Sequence, residues 1–310
     1  MKRQFRIGTR GSPLALWQAN FIKDLLLAAS PELEPRILTI KTTGDRNLDS
    51  PLSDIGGKGV FVKEIEEALL TGAIDIAVHS MKDLPAFLPD GLMIGAVTGR
   101  HDPRDALVSK GGLKLSQLPE GARVGTGSLR RGAQLLSLMP GLRITPIRGN
   151  VDTRLRKLRE GEEFDAIVLA AAGLGRMGLI GEAAEIIPAD IIVPAPGQGI
   201  IAVECREGDG ETLDIISKIN HRETWTAGIA ERAFLRKIGG DCNIPAGCYA
   251  EADGESLTAT GIIASPDGSV VIRENSRSSV QEAEALGRGI AELILDKGGD
   301  SLLSTINLSL

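Results

Sequence analysis

Along residues 4–97, short β-like runs at 4–9, 36–42, 74–78 and 92–97 alternate with helical periods, which points to an α/β layer on a largely parallel sheet. Ser12-Pro13 opens one helix, with Leu14, Trp17, Phe21 and Leu25 on one face, and a second near 60–71 carries Val62, Ile65 and Leu69. At His101-Asp102-Pro103-Arg104-Asp105 the chain turns polar, and the alternation restarts with strands expected near 105–108, 123–126, 143–147 and 165–170. The Pro- and Gly-rich stretch Val193-Pro194-Ala195-Pro196-Gly197-Gln198-Gly199 precedes an apolar run, Ile200-Ile201-Ala202-Val203, expected to rejoin the first sheet. Beyond about residue 217 the order becomes a helix at 222–238, strands near 246–252, 256–264 and 269–275, and a helix at 279–296. The expected division is a discontinuous first α/β lobe, 1–98 and 194–216, a second α/β lobe, 99–193, and a small C-terminal α+β domain, 217–310. No internal sequence repeat is visible.

The 310 residues are 42% apolar and 25% charged, a composition that excludes disordered and fibrous classes. The formal charge of -6 repels nucleic acid and anionic lipid, so an anionic ligand must be held by local positive groups. After Met1-Lys2-Arg3, charges at Arg6, Arg10, Lys23 and Asp24 break any export-signal core, and no apolar run reaches membrane-spanning length. A cytoplasmic location is expected. The three cysteines include no CxxC pair and suggest neither a disulfide framework nor a zinc site, and no metal is expected.

Three strand-to-helix junctions couple arginine to a helix cap: Thr9-Arg10-Gly11-Ser12-Pro13, Gly125-Thr126-Gly127-Ser128-Leu129-Arg130-Arg131 and Arg148-Gly149-Asn150-Val151-Asp152-Thr153-Arg154. A helix N-terminus offers unpaired N–H groups and a positive dipole end, and arginine adds a planar fork for carboxylate or phosphate. Taken singly, each also reads as a capped helix with solvated arginines; three together suit a multiply anionic ligand. Arg176 and Lys58 add positive groups on Gly-rich loops, yet neither a P-loop nor a correctly placed dinucleotide fingerprint occurs. In Ala77-Val78-His79-Ser80-Met81-Lys82-Asp83-Leu84-Pro85, Asp83 falls beyond the carboxyl end of a buried-type strand. It reads either as an acid that stabilises cations and moves protons or as a turn residue before Pro85. His79 reads as a structural residue. Cys242, in Gly239-Gly240-Asp241-Cys242-Asn243-Ile244-Pro245, is the most accessible thiol, whereas Cys205 and Cys248 sit at strand positions.

These motifs, with Gly56-Gly57-Lys58-Gly59-Val60-Phe61 and Pro196-Gly197-Gln198-Gly199, occur in the order found in porphobilinogen deaminases, and the resemblance runs over essentially the whole chain. It implies two lobes like type II periplasmic binding proteins with an active cleft between them, a small third domain, and a dipyrromethane primer joined by a thioether to Cys242. Four porphobilinogens would be added head to tail, each losing ammonia to give an electrophilic azafulvene, and hydrolysis would release hydroxymethylbilane. By the same resemblance, Asp83 would stabilise charge on the pyrrole nitrogen, aided by Lys82 and Lys58. The cofactor would meet Asp83, Lys82, Ser80, Thr126, Ser128, Arg130, Arg131, Arg154 and Gly149, and the substrate would meet Arg10, Ser12, Arg148, Arg154, Arg176, Gln198 and Phe61. Gly127 and Asp241 depart from the family's usual Ser and Gly. A monomer is implied.

The competing reading from another class is a non-catalytic two-lobe receptor for a small organic anion, which the same junctions would serve. Nucleic-acid binding through the basic stretch 123–159 ranks last, because that stretch holds no Tyr, Trp or Phe for base stacking.

Overall fold

Ser12 starts the first long helix as its sequence requires: its Oγ accepts from the Ala15 amide at 3.3 Å, and Pro13 occupies the first turn, where no amide donor is needed. The computed structural model containing this helix describes residues 3–46, 62–239 and 244–307. In chain order the first elements are β1 (Arg3–Thr9), α1 (Pro13–Ala29), β2 (Leu33–Thr39), α2 (Thr43–Arg46), α3 (Lys63–Leu70), β3 (Ile76–Ser80) and β4 (Leu92–Val97). They are followed by β5 (Asp105–Ser109), β6 (Arg123–Gly125), α4 (Leu129–Leu138), β7 (Arg143–Thr145), α5 (Val151–Glu160), β8 (Ala166–Ala170), α6 (Ala171–Arg176) and β9 (Glu185–Ile187). The remainder comprises β10 (Ile201–Arg206), α7 (Gly210–Ser217), α8 (Arg222–Lys237), β11 (Ala246–Asp253), β12 (Ser256–Ala264), β13 (Val271–Ser279), α9 (Ala283–Ile294) and α10 (Asp300–Asn307).

The chain forms two compact units, one running up to Arg100 and including Ile200–Trp225, the other made of His101–Gly199 and the residues from Thr226 onward. The first unit holds a five-stranded sheet in the order β2-β1-β3-β10-β4. Here β1 runs parallel to β2 and β3, while β10 runs antiparallel between β3 and β4. The second unit repeats this pattern as β7-β6-β8-β5-β9, with β5 the reversed strand between β8 and β9. Each sheet is thus parallel but for one strand, and the duplication is structural although no sequence repeat announces it.

On α1 the buried residues are Ala15, Gln18, Ala19, Ile22 and Leu26, rather than the face through Leu14, Trp17, Phe21 and Leu25. Small and branched residues lie against the sheet, while Trp17 and Phe21 stack at 5.3 Å beside the core. Aromatic bulk marked the flank, and closeness of approach selected the floor. Full burial of Ile22 and Leu26 contributes roughly 1.5–3 kcal/mol each.

The C-terminal sheet, β11-β12-β13, is an antiparallel meander with a core of its own that includes Ala230, Phe234, Cys248, Ile290 and Ile294. Helices α8 and α9 approach so closely that a Cβ at Gly287 would lie 1.9 Å from the Ala230 carbonyl oxygen. Among the described residues, no helix is long and apolar enough to cross a membrane.

Candidate active site

In the first unit, β1 and β3 end side by side, and the residues after each strand line a pocket with Arg10, Ser12, Gln18, His79, Ser80 and Asp83. The N-terminal end of α1 brings Ser12 and its positive dipole end to this pocket. A turn of 3-10 helix, Met81–Asp83, follows β3 directly and leaves Asp83 exposed. The turn is tied down by the Met81 amide donating to the Ile200 carbonyl oxygen at 3.0 Å. Buried Gln18 donates to Ser80 Oγ at 2.7 Å, so the helix floor orients one of the expected ligand groups. One carboxylate among guanidinium, hydroxyl and helix-end donors can accept from a ligand N–H while its neighbours hold anionic arms.

His79 is 5% exposed, and its Nε2 lies 3.1 Å from Glu204 Oε2. The structural reading of His79 therefore has a definite partner, one the sequence reading did not name. The available signal was a lone Glu in the apolar run Ile201-Ala202-Val203-Glu204-Cys205.

In the second unit, Arg130 and Arg131 do not simply project from α4. Both are buried and converge on Asp105 at the start of β5. Arg131 donates through Nε (3.0 Å) and Nη2 (2.8 Å) to Oδ1, and Arg130 Nη1 lies 2.8 Å from Oδ2. Gln198 joins them, its amide donating to Asp105 Oδ1 at 2.8 Å and to the Pro103 carbonyl oxygen at 2.7 Å. The two guanidinium groups hold the Asp105 carboxyl far below the usual carboxylate range against the cost of burial. Within this cluster two cations face one anion, and buried Arg130 Nε has no acceptor. Thr126 and Ser128 turn inward locally, Thr126 Oγ1 accepting from the Ser128 amide and Ser128 Oγ capping α4.

The third junction is built around Gly149, whose φ of +112° favours glycine and whose added Cβ would strike Thr153 at about 2.6 Å. The Gly149 carbonyl oxygen accepts from Arg154 Nε at 2.8 Å, and Asn150 caps α5. Arg148, Gly149 and Arg154 thus share one turn, with both arginines partly exposed. Arg176, at the end of α6, is buried and donates to the Gly199 carbonyl oxygen at 2.8 Å. Burial, and then the Arg176 charge, depress the titration of His101. Lys82 sits beside Asp83 and is half-buried. Lys58, Phe61, Asp241 and Cys242 lie outside the described residues.

The other two cysteines are buried, and burial followed by the nearby Asp209 and Glu204 charges pushes the Cys205 thiol up to about 11. Iodoacetamide at about pH 8 therefore leaves Cys205 and Cys248 unmodified in the folded protein, as peptide mass spectrometry can check. Alkylation of Cys205 without denaturant would contradict that burial.

Sheet order and site chemistry together define an α/β protein for a small organic polyanion, with a carboxylate set among the cationic groups. The family model for the dipyrromethane cofactor binding domain of porphobilinogen deaminase matches residues 5–214, and the model for that enzyme's C-terminal domain matches residues 225–296. The chain belongs to the porphobilinogen deaminase family. It is 49% identical to the porphobilinogen deaminase of Syntrophotalea carbinolica, over 98% of this chain and 96% of the relative. It is 50% identical to those of Syntrophomonas wolfei, over 97% and 98%, and of Pelotomaculum thermopropionicum, over 98% and 97%. Solved structures give remoter likenesses, such as the methionine binding protein MetQ, at 16% identity and a TM-score of 0.41 over 70% of this chain and 89% of that one.

The chain is therefore a tetrapyrrole-pathway transferase, a hydroxymethylbilane synthase whose substrate is porphobilinogen and whose cofactor is dipyrromethane. The residues present fit that cofactor. The Asp105 cluster carries one positive charge in excess and an unused buried N–H at Arg130, which a carboxylate-bearing ligand would balance.

Proposed function

We propose that Asp83 is the group around which the condensation of four porphobilinogens into hydroxymethylbilane takes place, and that Cys242 carries the dipyrromethane by a thioether. The observation that carries this reading is the pocket itself, an exposed carboxylate at a strand end ringed by Arg10, Ser12 and Ser80. Loss of ammonia from the aminomethyl group leaves positive charge spread onto the pyrrole ring nitrogen, and a fixed carboxylate beside that nitrogen lowers the barrier because its dipolar surroundings are already arranged. Dipyrromethane, when bound, supplies the free α-carbon from which the product is built. Asp83 also accepts the pyrrole N–H, and Lys82 and Lys58 support it.

Arg10, Arg148, Arg154 and Arg176, with Ser12 and Gln198, take the substrate's acetate and propionate arms, and Phe61 is an apolar contact of the substrate. Ser80, Thr126, Ser128, Arg130, Arg131, Arg154 and Gly149 hold the cofactor. A product that gains two carboxylates at each addition needs many arginine forks rather than one. The surplus charge of the Asp105 cluster supports this assignment.

The proposed domain division is 1–98 with 194–216, then 99–193, then 217–310. The separate core of the β11-β12-β13 sheet supports the last of these. The protein is proposed to act as a cytoplasmic monomer without nucleic-acid or membrane partners.

Intact-protein mass spectrometry tests the primer assignment. The native protein is expected to carry the added mass of a dipyrromethane, and Cys242→Ser is expected to lose both that mass and turnover. Fully active protein with an unmodified Cys242 would remove the assignment.

A further inference from the structure

Between α3 and the first sheet lies a group of ionisable side chains that the pocket chemistry above does not use. Glu66 on α3 is 7% exposed and Glu204 on β10 is fully buried. Their layer is otherwise apolar, with Val62 and Ala202 on one side and Ile65 and Ala77 on the other. Oε1 of each carboxyl has no hydrogen-bond partner, and Glu204 is joined through Oε2 to His79, which lines the Asp83 pocket.

Among the described residues on the strands packed against α3, the other charged groups are engaged elsewhere. On β1, Arg3 pairs with Glu211 and Arg6 with Asp75; β4 carries no ionisable side chain. On β10, Arg206 donates to the Leu69 and Ile74 carbonyl oxygens and pairs with Asp209. On α3 itself, Glu64 accepts from Thr43, and Lys63 and Glu67 face solvent.

Two buried carboxylates facing one imidazole cannot both ionise without leaving an uncompensated charge. Loss of the proton that the acid pair holds adds one negative charge under the pocket. Burial first, then the neighbouring Glu204, pushes the Glu66 carboxyl up to about 7, against an opposing pull from His79.

We propose that Glu66 is a positioning residue for the Asp83 pocket: it shares a buried acid pair with Glu204, which holds the pocket-lining His79, and its proton sets the charge beneath the substrate's carboxylates. This rests on the pocket being the substrate site. It predicts that KM for porphobilinogen rises roughly three- to tenfold between about pH 6 and about pH 8.5 as the added negative charge repels the acetate and propionate arms. Glu66→Gln keeps the low-pH KM throughout that range.

A stability readout runs alongside. Because folding raises this carboxyl from about 4.5, its contribution is complete below that value and is lost as pH rises through about 7. Glu66→Gln removes that slope from the melting temperature.

NMR titration of the His79 ring separates the proposal from the pocket reading, because it needs no turnover. In Glu66→Gln the imidazolium loses a nearby anion at high pH, so its titration moves to lower pH. Glu204→Gln, which also removes the ring's direct acceptor, moves it further and serves if Glu66→Gln does not fold. An unmoved His79 titration overturns the proposal, whatever the kinetics. A moved titration with an unchanged KM profile overturns the link to the pocket. Full turnover in Asp83→Ala would displace the pocket reading itself, while the ring titration would still report on Glu66.

Discussion

Asp83→Ala lowers kcat by about three orders of magnitude and leaves the melting temperature nearly unchanged. The two halves of this expectation come from different features. Asp83 is exposed at the end of a one-turn helix, so its truncation removes no core contact. A carboxylate that stabilises developing charge and guides a proton contributes roughly 10²–10⁴ in rate. Asp83→Asn keeps the shape and one acceptor but not the charge, so it behaves like the alanine variant if electrostatics dominate. Steady-state ammonia release, with thermal melts of the same preparations, measures both quantities. A loss below tenfold in Asp83→Asn would move the main role from charge to hydrogen bonding.

Asp105→Ala destabilises the protein by about 3–5 kcal/mol, because two guanidinium groups lose their shared counter-ion while remaining buried. Urea unfolding followed through the second unit reads this directly. The double variant Asp105→Ala, Arg131→Met recovers part of the loss, since one of the stranded charges is gone. Acid has a related effect with a definite sign. Folding depresses the Asp105 carboxyl, so its stabilisation is present above the ordinary carboxylate range and is lost as pH falls toward the native titration. Weak acid that unfolds Asp105→Ala therefore leaves the parent protein folded.

Much of the α/β order was legible because β8 is a continuous apolar run and β3 and β10 each open on three apolar residues, as suits strands covered on both faces. Where expectation and structure differ, long-range packing had the last word. The second strand was expected at 36–42 but occupies Leu33–Thr39, with Pro35 inside it. Proline is tolerated there because, among the described residues, β2 is an edge strand paired only with β1. The three-residue β9 owes its strand character to β5, and Glu185-Ile186-Ile187 offers too short a pattern to read alone. Helix α7 carried a usable signal, Asp209 capping the Thr212 amide, which the surrounding Gly208 and Gly210 masked.

At the site, the Asp83 segment was readable because its chemistry is local, three residues beyond the end of a strand. The Asp105 cluster was not, since its partners come from α4 and from Gln198, far along the chain. Glu66 and Glu204 likewise acquire meaning only when α3 lies on β10.

The placement of β10 also sets an order of events during synthesis. Its two neighbours, β3 and β4, emerge from the ribosome roughly a hundred residues before it does, a delay of about 5–20 s at ordinary elongation rates. Throughout that interval the first sheet lacks the strand that joins β3 to β4, and the facing edges of those two strands stay unsatisfied. The nascent chain is thus committed to synthesising the β5–β9 region before its first unit can close, and for that interval the open edges of β3 and β4 are exposed to mispairing.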